Sequence, residues 1–128
     1  MKSKYIMKIL TLSLLIIICI SCKSKEFSLI GKWICIEEHG NNGANDFIHK
    51  IEDGDVLIFD SNNIVTDKRG IKGTYNLKGD SLQIDLPDIP NFYILRKFKD
   101  DFDKISLSPR TSDYNIFCDE GCEFIYEK

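Results

Sequence analysis

The chain has 128 residues, 43% of them apolar and 29% charged, with a net charge of −3. That length supports one domain with a modest core and leaves no room for two. The acidic balance argues against a nucleic-acid partner, because the one basic run, at 96–99, is answered at once by the acidic run at 100–103.

The chain begins with Lys2, Lys4 and Lys8, continues through an apolar core at 9–20 and reaches small Ser21, the three-part pattern of an export signal. A spanning helix needs about 20 apolar residues. The core has twelve, so segment 1–21 is expected to be removed rather than kept as a transmembrane anchor. The junction Cys19-Ile20-Ser21-Cys22 resembles the lipobox of bacterial lipoproteins, with Cys19 where that family usually has leucine. The resemblance implies cleavage after Ser21, a diacylglycerol on the Cys22 thiol and an acyl chain on its new amino group. Several acyl chains, each buried methylene contributing about 0.8 kcal/mol, make attachment to a membrane effectively stable. Lys23 rather than aspartate follows the cysteine, so the resemblance implies sorting to the outer membrane rather than retention at the inner one. Residues 1–21 carry three of the seventeen basic residues and none of the twenty acidic ones, so the mature chain is net −6. Residues 22–28 then form the lipidated cysteine and a short tether, and 29–128 the domain.

Within the domain the hydrophobic period is two. Strands are expected at 32–38, 55–59 and 63–67, then at 71–78, where Ile71, Gly73, Tyr75 and Leu77 alternate with polar residues. The next run, 82–86, puts Leu82, Ile84 and Leu86 on one face. Gly79-Asp80 between these two runs suits a two-residue hairpin loop, because glycine accepts positive φ at its first position. Folding there pairs Leu77 with Leu82 and Tyr75 with Ile84, so turn chemistry and apolar pattern agree on one register. Further strands are expected at 92–97, 104–108, 114–118 and 122–127. Nine short runs at hairpin spacing predict an all-β, antiparallel barrel or sandwich, and pairing the first strand with the last would remove both exposed edges.

Two stretches interrupt this pattern. Residues 39–54 form the longest segment without strand character, and loops of that length in a compact domain are often functional. His39 and His49 lie there beside Asp46, Glu52, Asp53 and Asp55, but without an established metal-ligand spacing, so no metal is expected. Near the end, Gly121 in the 118–122 segment suits a three-residue loop that sets Cys118 opposite Cys122, Ile116 opposite Phe124 and Tyr114 opposite Tyr126. An oxidising compartment favours pairing two of the three cysteines of the domain. Cys118 with Cys122 is the first candidate, and Cys35 with one of them the rival. Catalytic motifs are missing from the sequence: there is no Gly-x-Ser-x-Gly elbow and no phosphate-cradling glycine loop. Neither an enzyme nor a cofactor is expected.

Gly31-Lys32-Trp33, the Gly-Thr-Tyr strand at 73–75, the Gly79-Asp80 hairpin and the closing strand, taken with the lipobox, resemble the lipocalin-like domains of small bacterial lipoproteins over residues 27–128. The resemblance implies an up-and-down antiparallel β-barrel of about eight strands, with Trp33 across a closed floor and the connection after the first strand folded over the open end. Phe47 and Ile48 would then form a lid. Alternation nominates Trp33, Cys35, Leu57, Phe59, Tyr75, Leu77, Leu82, Ile84, Ile94, Ile105, Leu107, Ile116, Phe124 and Tyr126 as inward. A barrel of this size is just wide enough to fill with side chains or to hold one small ligand. Two readings follow. In the first, a small hydrophobic or amphipathic molecule binds against Trp33, Phe59, Tyr75, Ile84 and Tyr126. In the second, a filled barrel serves as a structural or protein-interaction module of the cell envelope.

Overall fold

A computed structural model of the chain describes residues 3–8, 26–116, 118 and 121–128. Cys22, Ser21 and the 9–20 apolar run lie outside the described residues. Residues 3–8 are helical, and among the described residues no helix is long and apolar enough to cross a membrane. From residue 26 onward the domain is all-β. Its strands are β1 (Gly31–Asn41), β2 (Asp46–Lys50), β3 (Val56–Phe59), β4 (Ile64–Asp67), β5 (Lys72–Lys78), β6 (Ser81–Asp85), β7 (Phe92–Phe98), β8 (Asp101–Arg110) and β9 (Cys122–Glu127).

From β3 to β9 each strand pairs antiparallel with the next, and β1 pairs with both β3 and β9. The result is a closed eight-stranded antiparallel barrel with β2 appended to the far half of β1. The Gly79-Asp80 hairpin has the expected register, with Tyr75 opposite Ile84 and Leu77 opposite Leu82. Gly79 adopts φ of 63°, where a side chain would be strained.

The lower end of the barrel is solid. Trp33, Phe59, Val65, Leu82, Ile84, Ile105 and Leu107 are all at most 1% exposed. Each such side chain contributes roughly 1.5–3 kcal/mol by leaving water. Segment 26–30 seals this end from below: the Trp33 indole N–H donates to the Leu29 carbonyl at 2.7 Å, and Phe27 packs 6.4 Å from the indole. Lys128 donates to the Ser28 carbonyl at 3.0 Å, joining the two ends of the domain across the floor.

Three expectations are corrected. Residues 39–54 are largely not a loop: β1 runs on to Asn41, and β2 returns against it through a turn at 42–45. Asparagines hold that turn, the Asn42 side chain accepting from the Ala44 and Asn45 amides and the Asn41 side chain from Gly43. Apolar alternation is absent because β2 is exposed along its whole length.

Second, the described residues of 114–118 form no strand. β8 extends to Arg110 and itself pairs with β9, placing Leu107 opposite Phe124 and Ile105 opposite Tyr126. A bridge from Arg110 to Ile116 remains, and Ile116 is exposed rather than inward. Third, β7 turns Tyr93 and Leu95 inward and leaves Ile94 half-buried. Both parities of that strand are apolar in sequence. The cross-strand pairs Leu82 with Tyr93 and Leu95 with Leu107 decide between them.

Candidate functional site

Above the solid floor the barrel opens into a cup of about 490 Å³. Its position follows from an interruption between β2 and β3. The two strands lie along the same edge of β1, and residues 51–55 bow out where they meet. The Ile51 amide donates to the Ile36 carbonyl at 2.8 Å, and the Cys35 amide to the Asp55 carbonyl at 2.8 Å. Gly54 is required in this bow, because a Cβ there would lie 2.0 Å from the Cys35 carbonyl oxygen. The bow carries Asp55 to the mouth.

The wall of the cup is apolar, formed by Leu57, Leu86, Ile89 and Phe124, with Pro87 and Pro90 in the connection that crosses the opening. Three polar side chains face inward from it: Cys35 on β1, Tyr93 on β7 and Tyr126 on β9. All three are nine-tenths or more buried. Burial and the nearby negative charge of Asp55 push the Cys35 thiol up to about 11. Burial likewise pushes the phenols of Tyr93 and Tyr126 upward, again with a contribution from Asp55. The same carboxylate thus acts on all three groups. The Cys35 thiol donates to the Glu37 carbonyl at 3.8 Å, and Tyr126 is its cross-strand partner on β9. The Tyr93 hydroxyl makes no hydrogen bond among the described residues.

The rim is charged but largely self-neutralised. Arg69 donates to Asp67 at 2.9 Å and to Asp88 at 3.2 Å, clamping the β4–β5 turn to the connection after β6. Burial would raise the Asp67 pKa, but hydrogen bonds from the Ile71 amide and from Arg69 outweigh it and lower the pKa. Lys68 pairs with Asp53 at 2.6 Å. Asp55 is exposed at the mouth of the cup, which it helps to line, and has no cationic partner among the described residues.

The nominated residues separate in space. Tyr126 lines the cup. Trp33, Phe59 and Ile84 lie in the packed lower half, and Tyr75 donates its hydroxyl to the Asp60 carbonyl at 2.5 Å while its ring meets Phe59 edge-on at 4.9 Å. Phe47 and Ile48, the expected lid, are exposed on β2 and line a different hollow with His39, Arg96, Arg110 and Ile116. Alternation did not single out Tyr93, Asp55 or Leu86 as site residues. Tyr93 was hidden by the double parity of β7, and Asp55 by looking like an ordinary solvated carboxylate at a strand start.

Cys118 and Cys122 are disulfide-bonded with Cα atoms 5.8 Å apart, and Cys35 is free and buried, which decides between the two pairings. Among the described residues, no group of three or more His, Cys, Asp or Glu side chains could hold a metal. Fold and site together define a closed, antiparallel, eight-stranded β-barrel with a packed floor and an apolar cup at its mouth. No family model, curated protein or solved structure matches the chain.

Proposed function

We propose that this chain is a lipid-anchored protein of the bacterial cell envelope whose lipocalin-like barrel binds a small hydrophobic or amphipathic molecule without transforming it. Segment 1–21 is the export signal, acylated Cys22 the anchor, 22–28 the tether and 29–128 the binding domain, with the outer membrane as its site on the grounds of Lys23. The observation that carries the binding reading is the cup of about 490 Å³, apolar in its wall yet lined by Tyr93, a buried residue whose hydroxyl no described residue satisfies. Ligand sites are concave, mostly apolar and set with a few polar groups, which describes this cup. Binding is favoured over catalysis by the state of Cys35: burial keeps the thiol protonated, whereas a nucleophilic cysteine needs the thiolate.

The intact mass of protein extracted from envelopes, taken under denaturing and non-denaturing conditions, tests both halves. A denatured mass lacking residues 1–21 and carrying acyl chains supports the anchor, and an unmodified full-length mass overturns it. An additional mass lost on denaturation supports a bound ligand.

A second reading, an interaction module of the envelope, draws on the other hollow, around which Phe47, Ile48 and Ile116 are 41%, 66% and 64% exposed. Replacing Ile48 and Ile116 with serine should then release a co-purifying envelope protein while leaving the cup unchanged. Retention of that partner counts against this reading.

A further inference from the structure

The cup has a sign as well as a shape. Its lining includes three carboxylates, of Asp55, Asp67 and Asp88, and two cations, Lys68 and Arg69. Arg69 is shared between Asp67 and Asp88, and Lys68 is taken by Asp53 outside the cup. Asp55 is left over. The Tyr93 hydroxyl, on a residue 6% exposed, faces the same space without a partner among the described residues. Tyr126 lines the same space, and its phenol oxygen carries lone pairs that can accept. One unpaired carboxylate and two phenol oxygens thus face an apolar-walled space. Three acceptors match the three N–H donors of an ammonium group.

On the binding reading above, we propose that the ligand is a small amphipathic primary amine. Its ammonium seats on the Asp55 carboxylate between the Tyr93 and Tyr126 hydroxyls, and its apolar part lies against Leu57, Leu86, Ile89 and Phe124. An anionic head would meet Asp55 at the wall and find the rim cations already engaged. A neutral hydroxyl head would satisfy Tyr93 but gain nothing from the Asp55 charge at the mouth.

The test uses three near-isosteric probes on the full chain: 2-phenylethylammonium, 2-phenylethanol and phenylacetate, titrated calorimetrically at neutral pH and low salt. The ammonium should bind about tenfold or more tightly than the alcohol, a ratio equivalent to about 1.4 kcal/mol. Phenylacetate should bind weakest. Asp55→Asn should bring the ammonium down to the alcohol's affinity while leaving the alcohol unchanged. Because the Asp55 side chain makes no ion pair, this variant is expected to fold, and its circular dichroism checks that it does. Tyr93→Phe should weaken the ammonium several-fold as a second, uncharged probe of the same seat. Alcohol or carboxylate binding as tightly as the ammonium would overturn the amine head while leaving the cup as a binding site. If none of the three probes binds, both this inference and the binding reading fall.

Discussion

Cys35 is a thiol in a domain that has a disulfide and yet does not join it. Its position explains why: it lies on the inward face of β1 opposite Tyr126, whereas Cys118 is bonded to Cys122 at the start of β9. The thiol's ordinary value is 9.0, and in the fold it rises to about 11 through burial and the Asp55 charge. Between those values the unfolded chain releases its proton first, so stability is intact below pH 9 and falls as pH rises toward 11. Urea midpoints followed across that window should decline, and Cys35→Ala should remove the part of the decline that begins near 9. The folded thiol should also resist alkylation at neutral pH until denaturant is added. Tyr75 makes a contrasting case. Its hydroxyl is satisfied by the Asp60 carbonyl at the floor, so Tyr75→Phe should cost about 1 kcal/mol in a denaturant melt. Probe affinity at the cup should be unchanged, because the substitution lies outside its lining.

Among the elements, the break between β2 and β3 does most to place the site. Within the bow, the backbone at Gly54 approaches β1 too closely for any side chain there. Gly54→Ala would set a methyl 2.0 Å from the Cys35 carbonyl oxygen, which is backbone and cannot swing aside. A loss of about 2 kcal/mol or more is expected from thermal or urea unfolding, with the cup distorted in the fraction that folds. β2 has a different problem, since among the described residues its outer edge is left unpaired by barrel closure. The strand is short and carries Asp46, His49 and Lys50, charges and polarity that discourage pairing with another chain. Replacing His49 and Lys50 with valine and isoleucine should produce concentration-dependent association by sedimentation velocity. A variant that stays monomeric would show that the twist of the hairpin, rather than its polar residues, protects the edge.

At the level of the whole molecule, the barrel divides its length between two tasks. The lower half, around Trp33, is packed and supplies stability; the upper half is left open and supplies the cup. Trp33→Ala should therefore cost about 3–5 kcal/mol of stability. At temperatures where the variant remains folded, 2-phenylethylammonium should still bind, because the cavity it creates lies on the floor side. Failure of the folded variant to bind would mean that floor and cup are one cooperative unit. What the sequence by itself determined was the all-β class, the β5–β6 hairpin with its register, the closure of first strand on last, and the burial of Trp33, Phe59 and Ile84. These were legible because each rests on local chemistry: period-two alternation, a glycine at a positive-φ turn position, and a tryptophan beside a strand start. The β1–β2 hairpin was not legible, because backbone pairing and asparagine turns hold it and no apolar stripe marks it. Neither was the inward parity of β7, which is apolar on both faces until β6 and β8 choose one. The candidate site was least legible of all. Cys35, Asp55, Tyr93 and Tyr126 come from four different strands or connections, and an ordinary aspartate at a strand start acquires a role when closure brings it to two buried phenols. The physical reason is that local propensity acts between sequence neighbours, whereas which barrel positions stay empty is decided by how all eight strands share one interior.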